Sequence, residues 1–130
     1  MSDTRLSVLV IDDESSIRNL IINYLDDYDE FDLHGAESGE EALAQLERRP
    51  MDLCVVDSRL PGITGQEFIA KAYAGGLCKR FLVHSGSIDV GRDILEMNLG
   101  IREEDIFLKP SRPADILARL REIAAAVPTR

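Results

Sequence analysis

Five short apolar stretches mark the chain, at residues 6–11, 31–36, 52–56, 80–84 and 105–108. Three of them are continuous runs of Val, Leu and Ile type without polar alternation, the pattern of parallel strands covered on both faces. The stretch 31–36, FDLHGA, is mixed and is expected at a sheet edge. Segments of helical period separate these strands. Ile17, Leu20, Ile21, Tyr24 and Leu25 share one face of a helix that follows Asp13-Glu14-Ser15. Two further helices open on Ser38-Gly39-Glu40-Glu41 and Thr64-Gly65-Gln66-Glu67. Both read as capping boxes, in which a hydroxyl and a Glu three residues on satisfy the free amides of the first turn. A fourth helix is expected from near Ser87 to near Gly100. The fifth, after Ser111, presents Ile116, Leu117, Leu120 and Ile123 on one side.

Strand and helix therefore alternate five times. With right-handed crossovers this predicts an α/β fold, a doubly wound five-stranded parallel sheet with helices on both faces. A chain of 130 residues, 45% hydrophobic and 30% charged, fits one such domain without a staple or metal to hold it. The domain is expected over 1–124, with 125–130 as a C-terminal tail that frays past Pro128.

Charge and cysteines narrow the function. Net charge is −9, from 24 acidic and 15 basic residues, and no basic run exceeds Arg48-Arg49 or Lys79-Arg80. Nucleic-acid binders draw most of their affinity from phosphate neutralisation, so direct binding of DNA or RNA is excluded as an expectation. Cys54 lies inside an apolar strand and is read as a small core residue; Cys78 is placed in a polar turn. The two have neither disulfide-framework nor zinc spacing, which points to reduced thiols in a cytoplasmic protein. No stretch approaches the roughly 18 apolar residues of a membrane span, and the start does not read as a signal peptide.

In an open α/β sheet, ligands bind beyond the carboxyl ends of the strands, where strand order reverses. At those ends stand Asp12, Asp13 and Glu14 after the first strand, Asp57 after the third, Ser85 after the fourth and Lys109-Pro110 after the fifth. Each alone has a plain structural use. Acids suit a helix N-terminus, Asp57 could serve the turn containing Leu60-Pro61-Gly62, and a lone lysine is usually solvated. Together, from four segments, they make a phosphoryl-transfer site. Clustered carboxylates call for a hard cation, and Mg2+ suits one or two carboxylates plus waters and a phosphoryl oxygen. The metal and a fixed ammonium would lessen the repulsion between a carboxylate nucleophile and an anionic phosphoryl group. His84 is expected to point away from Ser85 and to be hydrogen-bonded rather than catalytic, and His34 to be solvated.

VLVIDDE (8–14), VVDSRLPGITG (55–65), FLVHSGS (81–87) and FLKPSRP (107–113), in this order and spacing, resemble the receiver domain of two-component response regulators. The resemblance runs from residue 6 to about 124. It implies a flavodoxin-like (βα)5 fold with Asp57 as phosphoacceptor, and Asp12, Asp13 and the Arg59 backbone carbonyl joining Asp57 around Mg2+. Lys109 would pair with the phosphoryl group, Ser85 would be the switch hydroxyl, and the Lys109-Pro110 bond would be cis. A histidine kinase or histidine phosphotransfer protein would be the donor. The downstream protein partner would meet the fourth helix, fifth strand and fifth helix. On this view the chain is a switch rather than an enzyme. The Met1 start favours a stand-alone protein over a piece of a larger regulator.

The chain also departs from the family. Ile106 stands where the family has an aromatic residue, with Phe107 expected to face the other way. Gly86 replaces a common alanine, and the segment 100–105 is long. Two rival readings compete for the same residues. A phosphorylation-independent interaction module has no need of Asp12, Asp13, Asp57, Ser85 and Lys109 together. A metal-dependent phosphohydrolase needs a cap and a general acid for which the chain has no spare length.

Overall fold

Alternate residues of each central strand go to opposite faces of the sheet, and both faces are apolar, which is why the sheet ends up between two layers of helix. The computed structural model describes residues 5–126. In β1 (Leu6–Ile11), Val8 and Val10 join one core cluster while Leu9 and Ile11 join the other. β3 (Met51–Asp57) does the same with Leu53 and Val55 against Cys54 and Val56. β2 is Phe31–Ala36, β4 Cys78–Ser85 and β5 Ile106–Leu108. All pair in parallel in the order β2-β1-β3-β4-β5, so 31–36 is an edge strand, as its mixed sequence implies.

The helices are α1 (Ser15–Asp26), α2 (Gly39–Arg48), α3 (Gly65–Ala74), α4 (Ile88–Glu96) and α5 (Pro113–Ala126). One core packs Ile21 and Leu25 of α1 with Ile116, Leu117, Leu120 and Ile123 of α5. The other takes Ala42 and Leu46 of α2, Phe68, Ile69 and Ala72 of α3, and Ile94 of α4. The order reverses between β1 and β3, and there the carboxyl ends form an open crevice.

Several boundaries differ from the sequence expectation. β4 begins at Cys78, so this residue is a buried strand position and not part of a polar turn; both cysteines are free and buried. α4 ends at Glu96, four residues before Gly100, because Asn98 and Gly100 take left-handed backbone angles, φ 57° and 80°. Asp105 belongs to a 3-10 turn, Glu103–Asp105, rather than to β5. Helix α5 continues through Ala126, two residues into the expected tail; Pro128 lies outside the described residues. The capping box at Thr64 is complete, whereas that at Ser38 is half made. Ser38 accepts the Glu41 amide, but the Glu41 carboxylate turns to the Glu37 amide at 3.3 Å. His34 is half-buried and not solvated, with Nε2 3.2 Å from an Asp32 carboxylate oxygen.

The 3-10 turn is anchored by a buried charge. Asp105 is fully buried; its carboxylate accepts the Arg102 amide at 2.9 Å and Nε of Arg119 on α5 at 2.7 Å, with Arg80 at 3.9 Å. This network ties the entry of β5 to α5, and β5 in turn delivers Lys109.

Candidate functional site

Three backbone hydrogen bonds prolong the sheet one residue past its strands and thereby fix the rim. The Asp12 amide donates to Ala36 O at 3.1 Å, Ser58 N to His84 O at 3.0 Å, and Lys109 N to Ser85 O at 2.7 Å. Residues from β1, β3, β4 and β5 are thus held in register with one another before any side chain is considered. The Lys109-Pro110 peptide is cis, as the resemblance implied.

On this frame Asp12, Asp13 and Asp57 each offer a carboxylate oxygen, all within 4.8 Å of one another. Asp12 and Asp57 are 2% and 3% exposed, so their charges cannot be left to water. Lys109 Nζ lies 3.3 Å from Asp57 Oδ2 and 4.0 Å from Asp12 Oδ2. The other Asp57 oxygen, Oδ1, accepts the Arg59 amide at 3.0 Å. Asp12 Oδ1 accepts the Glu14 amide at 2.9 Å, and Arg18 donates to the Asp12 carbonyl at 2.6 Å. A pocket of about 370 Å³ opens over these groups, lined by Asp13, Glu14, Asp57, Arg59, Gly86 and Lys109.

One ammonium does not balance three carboxylates. Burial first, then the nearby Asp57 and Asp13 charges, push the Asp12 carboxyl up to about 6 against the opposing pull of the Glu14 amide and Lys109. A divalent cation with oxygen ligands would relieve that repulsion, and the donor set of hard carboxylate oxygens fits such an ion.

Ser85 is fully buried, and its hydroxyl is taken up by Ser58 and Ser87. It donates to Ser87 O at 3.0 Å and accepts from the Ser87 amide at 3.1 Å and from Ser58 Oγ at 2.8 Å. His84 points the other way, as expected: Nε2 pairs with Ser111 Oγ at 2.8 Å, beside α1 and α5. Burial first, and then Lys109, lower its imidazole from the ordinary histidine value against the opposing pull of Asp57. Ile106 packs on the α4 side, its Cγ2 3.1 Å from where a Cβ on Gly91 would stand, while Phe107 joins the α1–α5 core.

The sequence-predicted residues Asp12, Asp13, Asp57 and Lys109 are therefore brought together, with Arg59 at the pocket wall, while Ser85 at the end of β4 is bonded to Ser58 and Ser87. Sequence reasoning missed Ser58 and Arg18. Ser58 had a readable signal, a buried hydroxyl where an apolar strand would continue; Arg18, on a surface helix, had none.

A doubly wound parallel sheet with a carboxylate cluster and a lysine at its switch point defines a flavodoxin-like α/β domain with an acidic rim. Residues 8–121 match the family model of the response regulator receiver domain, and the chain belongs to that family. It is a receiver of the two-component response-regulator type. It is 33% identical over 129 residues to the hydrogenase transcriptional regulatory protein HoxA of Cupriavidus necator, covering 97% of this chain and 26% of that protein. It is 32% identical over 116 residues to the alkaline phosphatase synthesis transcriptional regulatory protein PhoP of Bacillus subtilis, covering 89% and 47%. The chain thus spans between about a quarter and a half of these relatives. A response regulator receiver protein from Pseudomonas putida superposes with TM-score 0.77 at 29% identity, over 93% of this chain and 99% of that one. A CheY-like receiver from Methanospirillum hungatei, 22% identical with TM-score 0.80 over 94% and 95%, shares the fold. Among the described residues no helix is long and apolar enough to cross a membrane.

Proposed function

We propose that the domain takes a phosphoryl group on Asp57 from a histidine kinase or histidine phosphotransfer protein, and that this modification switches its binding to a downstream protein. The carrying observation is the meeting of three carboxylates within 4.8 Å with Lys109 Nζ 3.3 Å from the Asp57 oxygen. Asp12, Asp13, Asp57 and the Arg59 carbonyl would hold Mg2+, which supplies charge neutralisation for the incoming phosphoryl oxygens. Asp57 Oδ then forms the new O–P bond as the donor's P–N bond breaks. Lys109 moves from pairing with the carboxylate to pairing with the phosphoryl group, and Ser85 turns toward it. Change at Ser85 passes to the loop before α4, shifting the population of the face formed by α4, β5 and α5 toward a partner-binding state. The domain assists its own modification and turns over no small-molecule substrate. Among the described residues its folded unit runs from Leu6 through Ala126, and it works in the cytoplasm.

The test is intact mass after incubation with Mg2+ and acetyl phosphate. A gain of one phosphoryl group that disappears with EDTA supports the switch. Failure to gain it, together with failure to bind beryllofluoride, would leave a pure interaction module.

Metal binding carries its own pH signature. Because the Asp12 carboxyl in the folded protein sits near 6 rather than 3.8, it is ionised above pH 6 and protonated below. Mg2+ competes with that proton, so affinity is expected to be constant above about pH 7 and to fall about tenfold per pH unit below 6. In the metal-free protein the same shift makes folding more favourable as pH falls from 6 toward 3.8, since the folded state then binds the proton more tightly. Isothermal titration with MgCl2 at pH 5, 6 and 7.5 checks the first; a flat affinity would contradict it.

Arg59 lines the pocket two residues after Asp57. Its long cationic side chain shields the acyl phosphate from water, so Arg59→Ala is expected to shorten the phosphorylated half-life several-fold. An unchanged decay of the mass adduct would remove that role.

A further inference from the structure

Ser58 directly follows Asp57 and is 5% exposed. Its backbone is gripped on both sides: the amide donates to His84 O, and the carbonyl accepts the first amide of α3, Gly65 N, at 3.3 Å. Gly65 approaches so closely that a Cβ there would stand 2.9 Å from Ser58 Cα and 2.6 Å from Asp57 O. Only glycine permits this approach. The Ser58 side chain, so placed, donates to Ser85 Oγ at 2.8 Å.

A hydroxyl has one hydrogen to give and two lone pairs to receive with. Ser85 employs all three, giving to Ser87 O and receiving from Ser87 N and Ser58 Oγ. To donate to a phosphoryl oxygen it must leave Ser87 O and swing away from Ser58. The Ser87 groups sit at the half-exposed start of α4, where water can replace the lost partner. Ser58 is buried beneath the start of α3, and an unpaired buried hydroxyl is the more unfavourable leaving.

We propose that Ser58 is a positioning residue that holds Ser85 in the resting orientation and so sets how much phosphoryl-site occupancy is needed to switch the domain. This deepens, and rests on, the phosphoacceptor reading of Asp57. Ser58 touches neither the metal ligands' oxygens nor the incoming group; it acts through Ser85. Its hydroxyl favours the resting state because its partner is present there and absent after the turn.

The experiment uses the full chain with Mg2+ and beryllofluoride as the phosphoryl probe, with affinity read by isothermal titration. Wild type, Ser58→Ala, Ser85→Ala and the double variant form a cycle. Ser58→Ala is expected to bind about 3- to 10-fold more tightly than wild type, the worth of one buried hydrogen bond. In the Ser85→Ala background the same change is expected to do nothing. Ser58→Thr, which keeps the hydroxyl, should return affinity toward wild type. The Gly86 and Ser87 amide resonances of ligand-free Ser58→Ala should also move toward the positions they take in the bound wild type. Unchanged or weaker binding in Ser58→Ala, or an equal shift in both backgrounds, overturns the role of Ser58 while the wild-type adduct keeps the Asp57 reading intact. A wild type that takes neither beryllofluoride nor a phosphoryl group removes the Asp57 reading, and this inference with it.

Discussion

Asp57→Ala is expected to abolish phosphoryl uptake, dropping the mass adduct from acetyl phosphate and Mg2+ below detection. Other carboxylates stand close by, yet none is equivalently placed. Each of Asp12 and Asp57 has one oxygen on a backbone amide, but Lys109 lies 4.0 Å from the free Asp12 oxygen and 3.3 Å from that of Asp57. Asp13 is exposed, so its charge is already satisfied by water. The same substitution has a second, electrostatic consequence. Asp57 is among the charges that raise the Asp12 carboxyl, after burial itself, so its removal should move Asp12 titration down from about 6. NMR titration of the Asp12 carboxyl carbon in both proteins reads this directly. A persistent adduct in Asp57→Ala would reassign the acceptor. An unmoved Asp12 would show that the two carboxylates do not sense each other.

The second large effect lies away from the site. Asp105→Ala is expected to lower unfolding free energy by about 3–5 kcal/mol, the usual loss when one member of a buried ion pair is deleted. It leaves the Arg119 guanidinium, 13% exposed, without its 2.7 Å partner, and the Arg102 amide uncapped. Total stability of such a domain is about 5–15 kcal/mol, so the variant should be visibly marginal. Urea unfolding followed by far-UV circular dichroism measures the change. A loss under about 1 kcal/mol would mean that water or Arg80 compensates. Because the Asp105 network steers β5, the variant should also lose phosphorylation ahead of global unfolding as urea rises, as Lys109 loses its fixed position.

How much of this was legible beforehand follows from range of interaction. The strands were readable because each central one is apolar on both faces, a signal carried within a few consecutive residues. The rim residues were readable because strand ends are where such runs stop, and Asp12, Asp13, Asp57, Ser85 and Lys109 stand at those stops. What depended on partners far along the chain was not. Cys78 looked like a turn residue because Lys79 and Arg80 follow it, but pairing with β3 draws it into the sheet opposite Met51. The Ser38 box was half wrong because the Glu41 carboxylate had a choice of amide, and local spacing does not decide between Glu37 and Ser38. Asp105 reads from the sequence as the first residue of the fifth strand; only the fold brings Arg119 to it. Ser58 is the intermediate case, odd in the sequence yet meaningful only beside Ser85.

The three backbone bonds that carry the sheet past its strands, at Asp12, Ser58 and Lys109, tie chemical competence to the last stage of assembly. The proposed acceptor and its charge partner are 52 positions apart along the chain, Asp57 and Lys109, and no local segment contains both. On the proposed function, a nascent or partly melted chain would hold acids and a lysine but no assembled acceptor, and would stay silent toward donors. Only a completed sheet would then be charged, so the modified population would be a folded one, and a cell reading that signal would also read the quality of the molecule that bears it.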